Sequence, residues 1–587
     1  MSVLTLVDKA RLLLSSDIFR ALSLEEATEL AKEVTQREIK AGEVLFQRGD
    51  IGEHLYIVVS GRFRVYLDDP VERESKVDDV LSGEVIGELA LITGDRRAAT
   101  VHAVRDSSIL VVTKSSFERI AKKSPHLMFE VARVQIERLH RVEQTKKSLR
   151  QPTEAIALLP AGGNLNVVEA FATRLAEALS SFSPVLRLRS GQDSTSAIST
   201  KSEEPYRFIL YEADPSPSVW NTRSVRQADS IILVADDSSD SGLNAVEFDF
   251  DAQRGTAASP HRHLVLLQTG AFRRSAASWL QSRHVDMHHH VAGGNKEDYA
   301  RVARFLAGKA TGLVLGGGGA RGFAHIGVVQ ALAEAGIPID VVGGTSMGAL
   351  IAAMVAFGLT PDDMREACRK IFVERGIWDF TIPILSLVAA KRISISLEEI
   401  FHDQQIEDLP RNYFCVTTNL SRAEVCVHRH GPVTNWVKAS VSIPGVAPPI
   451  IYDGDLLYDG GILNNLPVDI MRRLGPRSII AANVSSFVDA SLVNIPPEAC
   501  SPWHILLSRL NPFAPHRRHP NIFHILYRSS MLNSLRSAVA AQTSVSLFID
   551  PHVAQFGLFE WKAIDQIVEA GLLHARTQVA QWLSVAH

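Results

Sequence analysis

Long apolar runs, cysteines and net charge are all scarce in this chain. No stretch reaches the roughly 18 consecutive apolar residues that a membrane-spanning helix needs, and no basic segment precedes an apolar one at the N-terminus, so neither spanning nor secretion is expected. The 4 cysteines form no CxxC pair and no disulfide framework, which favours a reducing, cytoplasmic compartment. A net charge of −4 gives no general electrostatic reason to expect nucleic acid as a partner.

What the chain does have is length. Its 587 residues exceed what one hydrophobic core can hold, and about 150 residues per domain predicts three or four domains. Apolar residues make up 46% and charged residues 21%, which is ordinary for a globular protein and leaves the function to be read from motifs.

The first informative motif is a glycine-rich loop at 316–322. The apolar run 313–315 leads into four glycines, and 323–335 then has a helical pattern closed by Gly336, which predicts a strand, a loop and a helix. Backbone N–H groups that carry no side chains can converge on one spot in such a loop. They would then stabilise the oxyanion of an acyl-transfer intermediate.

The second motif is GxSxG at 344–348. The apolar run 339–342 enters it, the chain turns at Ser346, and an apolar helix is predicted over 347–357. A strand, a sharp turn and a helix are the context of a nucleophile elbow. The two flanking glycines allow the turn without a Cβ clash, so that the hydroxyl projects beside a helix N-terminus. The alternative is a closely packed turn of small residues without catalysis.

Two nucleotide-binding interpretations of the glycine loop are weaker. A phosphate-binding P-loop needs Lys and then Ser or Thr after its last glycine, but Phe323 follows Gly322. The spacing at 317–322 satisfies GxGxxG, yet the acidic residue expected at the end of the second strand is missing, because Asp340 lies near its beginning. The loop therefore favours acyl transfer over nucleotide binding.

The candidate base lies far downstream, at Asp459. It begins the sequence DGG in a turn-rich stretch, 458–467. Asp453 is a poorer candidate because it lacks both the second glycine and the Asn-Asn-x-Pro run that follows Asp459. A Ser-His-Asp triad is the chemical alternative, with His325 as its histidine.

The ordered motifs GGGARG, GTSMG and DGG resemble those of the patatin-like phospholipases, over about 311–484. The resemblance implies an α/β hydrolase domain with a Ser-Asp dyad, in which Ser346 is the nucleophile and Asp459 the base, and with no metal or diffusible cofactor. It places the remaining site residues at the oxyanion hole (Gly317, Gly318, Gly319, Arg321, Gly322), the elbow (Gly344, Gly348) and the aspartate motif (Gly460, Gly461). The substrate class that it implies is a carboxylic ester of a phospholipid or lysophospholipid.

A second domain is predicted near the N-terminus. Short β-rich runs predict a barrel-like region, at 44–46, 55–59, 63–66 and 109–112. Within it, at 87–101, a carboxylate and an arginine flank a turn of small residues. Arginine suits bidentate capture of a phosphate, and the amides of the turn can surround it. A solvated surface ion pair on a β-turn is the alternative.

The stretch 87–101 resembles the phosphate-binding cassette of cyclic-nucleotide-binding domains. By that resemblance Arg97 holds the cyclic phosphate and Glu88 the ribose 2′-hydroxyl. Backbone contacts are implied for Gly87, Leu89 and Ala90, while Ala98 looks more like cyclic AMP receptors than cyclic GMP receptors. Arg96 stands where the family commonly has proline, which would loosen the turn.

Between these two regions, apolar strands alternate with helices, which predicts an α/β domain with a parallel sheet. The loop 160–164 lacks the P-loop lysine, so a structural or coupling role is expected. His284 and the run 288–290 lack a spaced acidic or cysteine partner, which favours a polar loop over a metal site. A helix is predicted at 126–148, where it would either transmit a signal from the nucleotide-binding domain or simply connect that domain to the next.

The segment 377–388 joins Trp, Phe and aliphatic residues and is followed by Lys391 and Arg392. Such a segment suits a lid that contacts an acyl chain or a membrane surface, and a buried core segment is the alternative. In the tail, a helix is expected at 522–540, a strand at 545–549 and an amphipathic helix at 558–583.

The order of sensor, α/β unit and patatin-like domain resembles the bacterial relatives of neuropathy target esterase. A multidomain α+β and α/β protein is expected, with a cyclic-nucleotide-binding domain (12–125), a connecting helix and linker (126–152), a middle α/β domain (153–308), a patatin-like domain (311–484) and a C-terminal helical extension (485–587). The expected function is a cytoplasmic serine acyl hydrolase regulated by a cyclic nucleotide, with peripheral contact to the inner face of the membrane. The alternatives are a nucleotide-responsive binding protein with a catalytically silent hydrolase domain, and an esterase with a silent sensor.

Overall fold

The structure is a computed structural model. It describes residues 4–67, 75–143, 153–164, 166–191, 206–237, 240–252, 260–268, 270, 275–485, 534 and 541–586. The chain divides into two compact units, one made of Met1–Phe272, Ser278–His288 and Ala292–Ala300, the other of Arg273–Ala277, His289–Val291 and Arg301–His587. Apart from residue 534, the predicted helix at 522–540 lies outside the described residues, as does the end of the predicted helix at 126–148.

The first part of the first unit is β-rich, as predicted. Its strands are β1 (Thr35–Ile39), β2 (Val44–Phe46), β3 (His54–Ser60), β4 (Arg62–Leu67), β5 (Ser75–Leu81), β6 (Val85–Ile86), β7 (Thr100–Ala103) and β8 (Ser107–Thr113). Its helices are α1 (Leu6–Ser15), α2 (Leu24–Ala31), α3 (Glu88–Thr93), α4 (Lys114–Lys123) and α5 (His126–Glu143). Two antiparallel sheets, ordered β1-β8-β3-β6 and β2-β7-β4-β5, share a core that contains Val58 and Phe63.

The rest of this unit holds most of an α/β domain around a sheet ordered β10-β11-β9-β12-β13-β14, of which 289–291, the start of α9 and the end of α10 belong to the second unit. The strands are β9 (Glu154–Pro160), β10 (Val185–Arg189), β11 (Phe208–Glu212), β12 (Ser230–Asp236), β13 (His261–Gln268) and β14 (Met287–Ala292). The helices are α6 (Val167–Ser180), α7 (Val219–Gln227), α8 (Ala245–Ala252), α9 (Ala277–Gln281) and α10 (Lys296–Leu306). The pairs from β10 to β13 are parallel, as the alternating pattern predicted.

A buried ionic cluster joins the β-rich region to the parallel sheet within the first unit. Arg62, at the start of β4, donates through Nη1 to Glu154 at 3.1 Å, and its Nε lies 3.4 Å from Asp229. Arg105 approaches the other oxygen of Asp229, also at 3.4 Å. Burial by itself would lower the pKa of Arg62, but the carboxylates of Asp229 and Glu154 outweigh it and raise that pKa. Arg62 is thus held in its charged form, while burial raises the pKa of Glu154.

The second unit is built on a mixed sheet ordered β19-β20-β17-β16-β15-β21-β22, with β18 also paired to β17. Its strands are β15 (Thr311–Leu315), β16 (Val341–Thr345), β17 (Asn412–Asn419), β18 (Glu424–His428), β19 (Ile450–Tyr452), β20 (Asp455–Asp459), β21 (Ser478–Ala482) and β22 (Leu547–Ile549). Its helices are α11 (Ala324–Glu334), α12 (Met347–Phe357), α13 (Pro361–Cys368), α14 (Lys391–Phe401), α15 (Val433–Ser440), α16 (Val468–Arg473) and α17 (Ile564–Ala586).

The strand register gathers three chain segments at one edge of this sheet. The neighbouring strands β15 and β16 are parallel, so the loops that follow them leave the same edge. Strand β20 runs antiparallel to β17, and its last residue, Asp459, pairs with Thr417. The residue before Thr417 in β17 is Val416, which pairs with Thr345 at the end of β16. Strand β20 therefore ends at the same edge of the sheet. Residues far apart in sequence therefore meet beside Thr345.

The C-terminal segment is part of the same domain. Strand β22 pairs in parallel with β21, and α17 packs on α11. The packing is close, since a Cβ on Gly327 would strike the carbonyl oxygen of Val568. The sheet thus extends past residue 484, where the sequence placed the end of the patatin-like domain.

Candidate active site and nucleotide pocket

Ser346 lies in a sharp turn between β16 and α12. Its backbone has φ 57° and ψ −127°, a conformation that residues other than glycine rarely adopt. Close packing requires the flanking glycines, because a Cβ on either Gly344 or Gly348 would strike the carbonyl oxygen of Leu315. The strained turn presents the hydroxyl at the N-terminus of an apolar helix, as a nucleophile elbow does.

Ser346 and Asp459 are in direct contact. The serine hydroxyl donates to Oδ2 of the aspartate with 2.6 Å between the oxygens. The other carboxylate oxygen accepts the N–H of Gly461 at 2.8 Å, which fixes the plane of the carboxylate. A Cβ on Gly460 would strike the carbonyl oxygen of Val416, so this glycine lets the aspartate motif lie against β17.

Burial sets the protonation of the two titratable groups near the serine. It raises the pKa of Asp459 to about 6, although the hydrogen bonds from Ser346 and Gly461 act in the opposite direction. His325, the alternative base, is also buried, and burial lowers its pKa to about 4. Its Nε2 donates to the carbonyl oxygen of Gly316 at 2.7 Å. The serine proton therefore points to the aspartate and not to the histidine.

The glycine loop supplies backbone donors. The N–H of Gly317 already donates to the carbonyl oxygen of Asn465, at 3.3 Å. Within the part of the chain that the structure describes, the N–H groups of Gly318 and Gly319 have no acceptor. The three amides predicted for the oxyanion hole thus reduce to two that are free. A Cβ on Gly318 would lie 2.6 Å from Cγ2 of Val484, so no larger residue fits there without displacing its neighbour.

Arg321 and Gly322 have structural contacts. The guanidinium of Arg321 donates to the carbonyl oxygens of Phe556 at 2.7 Å and Ala554 at 3.2 Å, and so holds the C-terminal segment beside the loop. A Cβ on Gly322 would strike the side chain of Met347. These two residues fix the loop against its surroundings, and neither offers a side-chain donor to Ser346.

Two further residues support the elbow and the loop. Ser440 accepts the N–H of Ser346 at 2.9 Å and donates to the carbonyl oxygen of Val416 at 2.7 Å. Asn465 donates through Nδ2 to the carbonyl oxygen of Gly317 at 3.3 Å. Asn465 belongs to the visible Asn-Asn-x-Pro run, whereas no motif marks Ser440, which only the tertiary structure brings to the nucleophile.

A cavity of about 70 Å³ lies beside Ser346. Its walls are largely apolar, and the larger contributors are Phe372, Ile377, Trp378, Ile393, Phe559 and Trp561. Phe372 and Trp561 stack with ring centroids 4.6 Å apart. Phe559 and Trp561 come from the C-terminal segment, in which sequence patterns pointed to nothing at the site. Lys438 is the one charged member of the lining among the described residues.

The segment 377–388 has one end in this cavity and its middle in solvent. Trp378 lines the cavity and stacks on Phe380, with ring centroids 5.9 Å apart. The middle is a row of exposed apolar side chains: Phe380, Ile382, Ile384 and Leu385. The interpretation as a core segment is therefore wrong for this middle portion, although Val388 is buried.

The predicted nucleotide-binding residues surround a second cavity, in the first unit. It measures about 270 Å³, and its lining includes all six of them: Gly87, Glu88, Leu89, Ala90, Arg97 and Ala98. Arg96 does not loosen the turn, because its Nη1 donates to the carbonyl oxygen of Gly49 at 2.7 Å.

Arg97 lines the cavity and is held by two backbone carbonyl oxygens of other residues. Its two Nη groups donate to the carbonyl oxygens of Gly87 at 2.7 Å and His54 at 2.6 Å, and the guanidinium lies 4.2 Å from the ring centre of Phe46. Its buried Nε has no acceptor within the described residues, and burial lowers the pKa of the group. An anionic ligand would supply the missing acceptor, so the residues fit a cyclic phosphate.

Protein-family models match both of the regions in which a candidate site lies. The model of the patatin-like phospholipases matches residues 313–472, and that of the cyclic nucleotide-binding domain matches residues 36–124. The segment 313–472 is thus similar to the patatin-like phospholipases. The resemblance that the sequence motifs suggested is thereby confirmed, together with the predicted combination of domains.

Curated relatives match across most of the chain. Patatin-like phospholipase domain-containing protein 7 of Mus musculus is 30% identical, and the match covers 93% of this chain and 45% of that protein. Patatin-like phospholipase domain-containing protein 6 of Homo sapiens is 29% identical, and the match covers 93% of this chain and 44% of that protein. Lysophospholipase NTE1 of Candida albicans is 28% identical, and the match covers 93% of this chain and 46% of that protein. The chain thus spans less than half the length of each of these relatives.

The middle domain also matches a family, the Neuropathy Target Esterase family P-loop like domain, over residues 196–306. The loop after β9 lies outside that match, and side chains of the same domain bind its backbone. Glu247 accepts the N–H of Gly162 at 3.2 Å, and Asn244 donates to the carbonyl oxygens of Pro160 and Gly162 at 2.9 and 3.1 Å. Arg283 in turn holds Glu247 through two hydrogen bonds. The N–H of Gly162, a group of the kind that a P-loop presents to its ligand, is thus already bound to a carboxylate.

The histidine run 288–290 lies on β14, and two of its rings contact neighbouring residues of the protein. His290 contacts the carbonyl oxygen of Glu407 through Nε2 at 2.8 Å, and the ring of His289 lies 5.2 Å from that of Phe305. No cluster of three or more His, Cys, Asp or Glu side chains suited to a metal ion occurs in the described ranges. None of the helices in those ranges is long and apolar enough to cross a membrane.

Proposed function

We propose that this chain is a serine acyl hydrolase that cleaves carboxylic esters of phospholipids or lysophospholipids. The observation that carries the proposal is the direct hydrogen bond of 2.6 Å from Ser346 to a buried carboxylate, Asp459. A strained elbow fixes the hydroxyl, and the free amides of Gly318 and Gly319 lie in the adjoining loop. Nucleophile, base and oxyanion donors are the minimal set for acyl transfer.

In the acylation step, the oxygen of Ser346 attacks the ester carbonyl carbon while Asp459 takes the hydroxyl proton. The carbonyl oxygen becomes an oxyanion, which the two loop amides stabilise. The tetrahedral intermediate then collapses and breaks the bond to the glycerol oxygen. That oxygen leaves as an alcohol with the proton returned by Asp459, and the fatty acyl group remains on the serine.

In the deacylation step, water replaces the departed alcohol. Asp459 accepts a proton from the water, which attacks the acyl carbon. The second intermediate collapses to free fatty acid and restores the serine hydroxyl. The apolar cavity beside Ser346 suits the acyl chain, because burying its methylene groups is worth about 0.8 kcal/mol each.

A cyclic nucleotide is the proposed regulator of this activity. The support is the 270 Å³ cavity lined by Arg97 and Glu88 in a cyclic nucleotide-binding domain. Arg97 would hold the phosphate and Glu88 the ribose hydroxyl, and Ala98 is the reason for expecting cyclic AMP. Release of Arg97 from the carbonyl oxygens of Gly87 and His54 would accompany binding.

The proposed place of action is a lipid surface in a reducing, cytoplasmic compartment. The exposed apolar row at 380–385 supports action at a lipid surface, because the row continues directly into the cavity beside Ser346. A reducing compartment is supported by three free thiols, those of Cys368, Cys415 and Cys426.

Substitution of the two proposed catalytic residues tests the function. Ser346→Ala should abolish fatty-acid release, and Asp459→Asn should lower it by about a thousandfold or more. Asp453→Asn is the matched control, because Asp453 is exposed and its left-handed backbone (φ 51°) tolerates asparagine. Thermal melting would confirm that each variant is folded.

Two outcomes would overturn the assignment. Unimpaired hydrolysis in Asp459→Asn would remove Asp459 as the base. Release unaffected by Ser346→Ala across several acyl esters would leave a nucleotide-responsive binding protein whose hydrolase domain is silent.

A further inference from the structure

Lys438 stands out in the active-site cavity because of its charge. The remaining side chains of the lining, within the described residues, are apolar apart from the hydroxyls of Ser346 and Ser442. A lysine in the lining of an apolar cavity can place its charged end where an anionic ligand would meet it.

The backbone of Lys438 is fixed close to the nucleophile. It lies in the last turn of α15, two residues before Ser440, whose hydroxyl holds the N–H of Ser346 at 2.9 Å. The carbonyl oxygen of Lys438 accepts the hydroxyl of Ser442 at 2.8 Å. The position of the lysine relative to the elbow is therefore set by two hydrogen-bonded serines.

The side chain, in contrast, is uncommitted. It is partly buried, and no described residue gives its ammonium group a hydrogen bond or an ion pair. A lysine can lay its methylene stem along an apolar wall and bring its charged end to the polar mouth. Lys438 can thus line the cavity with its stem and still offer three donors to a ligand.

We propose that Lys438 binds the phosphate of the lipid substrate and makes the site selective for phosphate-bearing esters over neutral acylglycerols. This inference rests on the proposed hydrolase function and adds the group that recognises the head of the substrate. In a lysophospholipid the glycerol carbons place the phosphate only a few bonds from the ester. With the carbonyl carbon at Ser346, that phosphate would lie within reach of residues that line the same cavity, and Lys438 is one of them. Lysine serves as a point-charge partner for phosphate.

A competing role for Lys438 is purely structural. A cation in the last turn of a helix interacts favourably with the carbonyl end of that helix. That role would affect stability and all substrates alike, whereas phosphate recognition would affect only substrates that carry a phosphate. The two roles therefore separate in a comparison of substrates.

The test compares lysophosphatidylcholine with a monoacylglycerol of the same acyl chain, both below their aggregation concentrations. In Lys438→Met the ratio of kcat/KM for the phospholipid to that for the acylglycerol should fall about tenfold or more, mainly through KM, because a charge-assisted hydrogen bond is lost. Lys438→Arg should restore most of the ratio, since it keeps the charge. Lys370→Met, which removes an exposed lysine elsewhere, is the control and should leave the ratio unchanged.

An unchanged ratio in Lys438→Met would overturn the proposal, and so would an equal loss on both substrates. Free inorganic phosphate provides a second arm at constant ionic strength. If it inhibited hydrolysis of both substrates through Lys438, the site would be one for free phosphate and the assignment to a lipid headgroup would be wrong.

A binding measurement separates this proposal from the hydrolase function. An alkylphosphocholine that has no ester should bind the Ser346→Ala variant about tenfold more weakly when Lys438→Met is added. A neutral amphiphile of equal chain length should show no such difference. If the wild type hydrolysed nothing, the hydrolase function would fail, whereas this binding result would still support or overturn the role of Lys438.

Discussion

Asp459, the proposed base, shows how burial can adapt a carboxyl group to proton transfer. A carboxyl group in water would be almost fully ionised and too weak a base for a serine hydroxyl at neutral pH. Burial raises the pKa of Asp459 to about 6, while the hydrogen bonds from Ser346 and Gly461 limit the rise. A base is most effective when its pKa lies near the working pH, so this environment suits proton transfer.

The rate should therefore depend on pH with a known sign. Asp459 accepts the serine proton only when ionised, so kcat/KM should rise as the pH rises through about 6 and should be lost below it. A soluble ester measured from about pH 4 to about pH 8, with Ser346→Ala as the blank, gives the profile. A rate that is constant through pH 6 and falls only near pH 4 would implicate His325, whose pKa lies near 4, and would contradict the dyad.

The residues of the candidate site differ in how easily they can be recognised from the sequence. Ser346 and Asp459 stand in short motifs whose glycines are required by close backbone packing, so the chemistry and the local geometry are visible together. Ser440 and Lys438 carry no motif. Their part depends on α15 lying beside the elbow, a tertiary contact that no local pattern encodes.

At the scale of single elements, the segment 377–388 is the most distinctive surface. Phe380, Ile382, Ile384 and Leu385 are 75%, 76%, 85% and 69% exposed. Exposed apolar side chains grouped in one loop mark an interaction surface, and this loop continues into the cavity that holds Ser346. Lys391 and Arg392 follow it at the start of α14, where they can meet anionic headgroups.

Charging this loop should weaken hydrolysis at a lipid surface. The double variant Ile382→Asp, Ile384→Asp should lower the rate on anionic phospholipid vesicles about tenfold or more, because inserting two carboxylates into the bilayer interface is unfavourable. The rate on a soluble ester should change little, since the dyad is untouched. Leu573→Asp, on an exposed face of α17, is the control for added charge. Equal losses on both substrates would show that the loop serves the fold and not docking.

The predicted elements succeeded where a pattern was both local and bounded. The helix predicted at 347–357 matches α12 because an apolar run begins at the elbow and ends at Gly358, which has φ 100°. Strands β5 and β7 carry alternating polar residues and were not predicted, because pairing with β4 and not local hydrophobicity defines them. The helix predicted at 558–583 corresponds to α17, which begins later than predicted, at Ile564. The turn before it carries Phe559 and Trp561 to the cavity.

At the scale of the whole chain, one polypeptide carries the proposed nucleotide pocket and the proposed ester-hydrolysing site. In the first unit, β4 and β7 carry walls of the nucleotide pocket at Val65 and Val101, and β4 begins at Arg62 of the buried ionic cluster. Removing one partner of such a buried pair typically costs about 3–5 kcal/mol, because the remaining charge is left buried and unpaired. Motifs revealed which domains are present, whereas this connection rests on charges scattered over four sequence regions and was not predictable.

Fatty-acid release from a lysophospholipid, measured against cyclic AMP concentration with Ser346→Ala as the blank, tests the central claim most directly. The account predicts a rate that is abolished in that variant, that changes saturably with cyclic AMP, and that loses the nucleotide response in Arg97→Ala. A Ser346-dependent rate that is indifferent to cyclic nucleotides would contradict the regulated enzyme, and the absence of any Ser346-dependent release would contradict the hydrolase itself.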